Sequence, residues 1–73
     1  MKVDTMAFSH NLREILNAKN ITNVELSKRL GLVHANNIAY WTRGKTMPNL
    51  ISLCMIAKAL DVSYDELLDG ITE

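Results

Sequence analysis

The chain has 73 residues, of which 48% are apolar and only 5% aromatic, so it is read as one small domain with an aliphatic core, near the lower limit for folding without staples. Its single cysteine excludes an intramolecular disulfide, no Cys/His spacing resembles a zinc site, and no apolar run approaches the roughly 20 residues of a membrane span. Net charge is zero, but residues 1–45 carry a balance of +4 and residues 46–73 a balance of −4. That split points to one basic working face and an acidic far end.

Met1–Thr5 does not read as a signal peptide, and a cytoplasmic protein is expected. The first helix is expected from about Met6 to Lys19, capped by Asp4 or Thr5, with Phe8, Leu12, Ile15 and Leu16 on one apolar stripe. Thr22 and Glu25 form a capping box that starts a second helix, 22–30, with Val24, Leu26 and Leu30 as its apolar face. Gly31 can take the left-handed conformation that ends it.

After a turn through Leu32, Val33 and His34, a third helix is expected over 35–43. It buries Ile38 and Trp41, one turn apart, and presents Asn36, Asn37, Tyr40 and Arg43 outward. Gly44 stops it. Asn49, after Pro48, caps a fourth helix over 50–60 whose expected stripe is Leu50, Leu53, Ile56, Ala57 and Leu60. Cys54 lies in this run and reads as a small buried hydrophobe. Ser63 and Glu66 form a second capping box for a last helix over 64–69. No strand signal and no repeat is present. The expected fold is all-α, a compact bundle of five short helices in a single domain, 1–73.

A short helix, a glycine-bearing turn and a second helix with a polar outer face follow the helix-turn-helix plan. With the loop Trp41-Thr42-Arg43-Gly44-Lys45 before Pro48, the run from Ile56 to Leu68, Glu25-Leu26 and Gly31, the sequence resembles the lambda-repressor-like (Cro-type, or XRE) helix-turn-helix family over roughly residues 8–70. The resemblance implies a third helix that enters the DNA major groove. It places Asn23 at the start of the second helix, a position usually held by glutamine, and puts Ala35, Asn36, Asn37 and Tyr40 on the reading face. An asparagine amide can pair bidentately with adenine there. Arg43 and Lys45 fall in a loop that looks like a phosphate clamp, which positions without reading sequence.

The chain departs from the family pattern in three places. Gly31 to Ile38 is seven residues, one more than usual, which is read as a turn lengthened by one residue with His34 at the helix cap. Leu16 and Thr42 stand where family members often carry an arginine and a glutamate that can pair. Losing both charges together leaves no unpaired buried charge. Asn23 is one methylene shorter than the usual glutamine.

The function implied is a sequence-specific transcriptional regulator of repressor or Cro type, phage-encoded or bacterial, with a double-stranded operator as partner. A homodimer is expected to use the bundle itself through Leu67, Leu68 and Ile71, which spaces two recognition helices about 34 Å apart. The alternative is a protein-binding module, an antirepressor or antitoxin that engages a partner repressor or toxin. Zero net charge and the altered reading helix motivate it. No nucleophile–base pair, metal set or phosphate loop is present, so no enzyme, cofactor or metal is expected, and His10 and His34 read as surface or capping residues.

Overall fold

Each helix of the chain starts or stops at a residue that satisfies its end groups. The computed structural model describes residues 2–31 and 36–72, in the order α1 (Thr5–Lys19), α2 (Asn23–Leu30), α3 (Asn36–Arg43), α4 (Leu50–Leu60) and α5 (Tyr64–Leu68). Asp4 caps α1 by accepting from the Met6 and Ala7 N–H groups. Thr22, Asn49 and Ser63 cap α2, α4 and α5, each accepting the N–H three residues on. At Thr22 the box is not reciprocal in the manner expected, because the Glu25 carboxylate pairs with Arg29 at 3.1 Å instead. Gly31 ends α2 at φ +69°. The expected turn residues Leu32, Val33 and His34, with Ala35, lie outside the described residues.

One core joins the helices: Phe8, Leu12 and Leu16 of α1, Ile21, Leu26 and Leu30 of α2 and its approach, Ile38 and Trp41 of α3, Ile56, Ala57 and Leu60 of α4, and Leu67 of α5. α1 packs against α3 and α5, and α2 against α3 and α4, within 33 × 21 × 20 Å. Among the described residues no helix is long and apolar enough to cross a membrane. The chain ends meet: Val3 and Thr72 form an antiparallel bridge, and the Asp4 N–H donates to the Ile71 carbonyl at 2.6 Å. This pairing has no strand-like pattern behind it in the sequence.

The structure corrects three expected burials and one expected surface residue. Val24 is exposed, because α2 turns Leu26, Ser27 and Leu30 inward and a residue two positions from Leu26 lies on the other side of a 3.6-residue helix. Leu50 is 75% exposed. The buried positions of α4 crowd into its C-terminal half, where α2 crosses and Arg29 Nη1 donates to the Ala59 carbonyl. Cys54 is exposed rather than buried, about 110° around α4 from the centre of its buried stripe. Leu67 is fully buried, and Leu68 and Ile71 pack half-buried against the core. Leu67 is therefore not part of the free contact surface expected of it, and Leu68 and Ile71 keep only part of their surface outside.

Candidate nucleic-acid interface

The outer side of α3 is set by what its inner side buries. Ile38 and Trp41 are 0% and 5% exposed. With them fixed inward, Asn36, Tyr40 and Arg43, spaced i, i+4 and i+7, form an exposed ridge, and Asn37 is exposed on its flank. The seven-residue spacing from Gly31 therefore ends with Ile38 in the core and Asn37 in solvent, the phase expected of a lengthened turn. Ala35 and the His34 cap position fall outside the described residues.

The end of α3 is closed by a Schellman motif. Gly44, at φ +76°, donates to the Trp41 carbonyl at 3.2 Å, and Lys45 donates to the Tyr40 carbonyl at 3.0 Å. That second bond folds Lys45 back toward the helix, so its ammonium lies 6.0 Å from the Tyr40 ring centroid. At this distance a cation–π attraction at an exposed site is worth about 0.5–1 kcal/mol. Tyr40, Arg43 and Lys45 are thus brought into one exposed, basic and hydrogen-bonding corner.

α1 anchors that corner from behind. Thr5 donates its hydroxyl to the Gly44 carbonyl at 2.7 Å, and the fully buried Ser9 donates to the Thr42 carbonyl. Two hydroxyls one turn apart on α1 therefore satisfy carbonyls that the end of α3 would otherwise leave unpaired. The Thr42 hydroxyl itself donates to the Ala39 carbonyl at 3.1 Å.

Asn23 is half-buried at the start of α2. It lines a cleft with Arg13, Leu16, Asn17, Ile21, Thr22 and Thr42, so the beginning of α2 and the end of α3 face one recess. Leu16, buried, and Thr42 both line this cleft. Arg13 and Asn17 belong to no motif in the sequence. Their signal is only i, i+4 spacing on the polar side of α1.

Among the described residues the acidic far end holds Asp61, Asp65, Glu66 and Asp69, all exposed, with Asp65 and Glu66 in the first turn of α5. There they complement the helix dipole. Beside them the Cys54 thiol, by hydrogen bond and charge, holds the Tyr64 phenol above its ordinary pKa.

A helix-turn-helix family model matches residues 12–67 of this chain. The chain is 38% identical over 65 residues to the HTH-type transcriptional activator BcrR of Enterococcus faecalis, covering 89% of this chain and 31% of that protein. It thus spans about a third of the length of that curated relative. Among solved structures it is similar to the restriction-modification controller protein C.AhdI from Aeromonas hydrophila, with a TM-score of 0.80 and 30% identity over 88% of this chain and 96% of that one.

Proposed function

This chain belongs to the helix-turn-helix family, and from that membership we propose that it is a sequence-specific, DNA-binding transcriptional regulator acting in the cytoplasm. α3 lies in the major groove. Asn36 and Asn37 read base edges, Tyr40 lines the same reading surface, and Arg43 and Lys45 hold the phosphate backbone. The observation that carries this reading is the α3 ridge. Its inner side is locked by Ile38 and Trp41, and its outer side offers two asparagines and an arginine whose side chains have no partner among the described contacts, beside Tyr40, whose ring faces the Lys45 ammonium. Asn23, at the start of α2 and at the rim of the recess it shares with Arg13 and Thr42, contacts the DNA backbone or supports the base contacts of α3.

The charge distribution fits this assignment. A neutral chain gains little from non-specific phosphate attraction, but its bases are concentrated in residues 1–45, where α2, α3 and the Arg43–Lys45 corner lie, and its acids in the remainder. Specificity must then come from base contacts, each good bidentate asparagine–adenine pair contributing about 1–3 kcal/mol of discrimination.

The test is binding to the protein's own promoter region at two salt concentrations with excess random competitor DNA. Specific binding that weakens steeply with salt is expected, and its slope gives the number of phosphates engaged. Unchanged affinity after replacing Asn36, Asn37 and Arg43 together by alanine would overturn the assignment. The α3 face would then be open to a partner repressor or toxin instead.

A further inference from the structure

Met6, in the first turn of α1, is 55% exposed, yet its thioether has a defined place. The Met6 N–H donates to the Asp4 carboxylate at 2.9 Å. The sulfur lies against Gly44, in the space that a side chain at position 44 would fill. Thr5, the preceding residue, donates its hydroxyl to the Gly44 carbonyl at 2.7 Å. The start of α1 therefore holds the Gly44 turn twice, by a hydrogen bond and by a sulfur packed on bare backbone. The Lys45 N–H, next along the chain, donates to the Tyr40 carbonyl at 3.0 Å, so the basic corner takes its direction from that turn.

We propose that Met6 is an oxidation site whose sulfoxide loosens the Gly44 turn. The co-reactant is hydrogen peroxide. A lone pair of Met6 Sδ attacks one peroxide oxygen, and the S–O bond forms as the O–O bond breaks. Sulfur is oxidised by two electrons, and the departing hydroxide takes the proton of the transferred oxygen and leaves as water. The product is polar and larger at the atom that meets Gly44. The Gly44 N–H already donates to the Trp41 carbonyl, and the Thr5 hydroxyl to the Gly44 carbonyl. The new oxygen is therefore solvated by turning outward, and the sulfur leaves the turn.

Exposure makes a thioether reachable by peroxide, and contact with the turn gives the modification a consequence. Among the described residues Met6 alone is seen to combine the two. Met47 is half-buried against the core. Met55 and Cys54 are exposed, but on α4, which packs against α2. With the sulfur displaced, Gly44 keeps the Thr5 bond and loses its apolar cover, so the turn opens more often and Lys45 is held less firmly. The oxidation site does not depend on the DNA-binding reading. Its effect on DNA does, through the direction of Arg43 and Lys45.

The experiment uses the full chain carrying Cys54→Ser, so that thiol oxidation does not contribute, with Met6→Leu, Met6→Gln or Met55→Leu added singly. These positions are exposed, so each variant is expected to fold, and helical circular dichroism checks this. After hydrogen peroxide, peptide mass spectrometry locates the added oxygen, and amide hydrogen exchange at Lys45 reports its bond to the Tyr40 carbonyl. Met6 is expected to take up oxygen ahead of Met47, and Lys45 exchange to become at least about fivefold faster. Met55→Leu should respond as its parent does and Met6→Leu should not respond. Met6→Gln, polar at the same place, should exchange fast without peroxide. A Met6 that stays unoxidised while Met47 reacts overturns the proposal. So does an oxidised Met6 with Lys45 exchange unchanged, or a response that persists in Met6→Leu. DNA titrations of the same samples should show affinity falling after peroxide in the parent and holding in Met6→Leu. If none of the samples binds DNA, the DNA-binding reading fails while the exchange data still decide the oxidation site.

Discussion

The hydroxyl of Thr5, in the first turn of α1, donates to the carbonyl oxygen of Gly44, the residue that ends α3, at 2.7 Å. Ser9, one turn on, does the same for Thr42. Together they tie the basic corner of Tyr40, Arg43 and Lys45 to the helix that forms the back of the core. Ser9→Ala removes a buried donor and strands the Thr42 carbonyl. The expected loss of stability is about 1–3 kcal/mol, measured by urea unfolding, while Thr5→Val at its half-buried site costs about 1 kcal/mol.

Gly44 is constrained twice. Its φ of +76° is a left-handed conformation, and a Cβ there would collide with Met6 Sδ. Gly44→Ala is therefore expected to lower stability by about 1–2 kcal/mol. It should also weaken DNA binding beyond that loss, because the turn directs Lys45. Binding measured well below the unfolding temperature separates the two effects.

Leu67 and Leu50 have opposite environments, 0% and 75% exposed. Leu67→Ala should cost about 2–5 kcal/mol by leaving a cavity, and Leu50→Ala should lie within about 0.5 kcal/mol of the wild type. Thermal unfolding of the two variants at a concentration where the chain is monomeric checks the contrast. Similar small losses in both would show that Leu67 is not a core residue.

Leu16 and Thr42 share one cleft, and Leu16 is 4% exposed. Leu16→Arg alone buries an unpaired charge and is expected to cost about 3–5 kcal/mol. Adding Thr42→Glu supplies a partner for that charge across the cleft. A double-mutant cycle should show a favourable coupling of about 0.5–3 kcal/mol. A coupling near zero would mean that the two positions do not face each other closely enough to pair.

On the proposed reading, the exposed residues at α3 divide into those that read bases and those that hold phosphates. Asn36→Ala or Asn37→Ala should reduce the preference for the operator over random DNA, by about 1–3 kcal/mol where the amide is bidentate. Lys45→Ala should weaken binding to all sequences alike and lower the salt slope by about 1. Competition titrations at several salt concentrations distinguish these patterns.

Much of the architecture is legible without coordinates because it is local. Thr22, Asn49 and Ser63 each bond the N–H three residues ahead, so the same short segment that carries the cap also carries its partner. The phase of α3 is legible for the same reason. Ile38 and Trp41 are the large apolar residues one turn apart, and burying them leaves Asn36 and Arg43 outside.

The contacts that support the candidate site are of another kind. Asn11 donates to the Leu67 and Asp69 carbonyls, 56 and 58 residues away, and thereby satisfies the end of α5. Ser9 reaches a carbonyl 33 residues on. An asparagine or serine on the side of a helix has no signature that distinguishes such a bond from contact with water, since its partner is defined only once the helices have packed.

By itself, the sequence determined where the helices begin and end and which side of α3 faces outward, because hydrogen-bond partners three residues apart and a 3.6-residue period are properties of the chain alone. Which side of α4 is buried was decided only by the tertiary structure. Nine of its residues from Leu50 to Leu60 are apolar, so periodicity names no face, and the choice falls to the helices that cross it. They cover Ile56, Ala57 and Leu60 and leave Leu50, Ile51, Cys54 and Met55 in solvent.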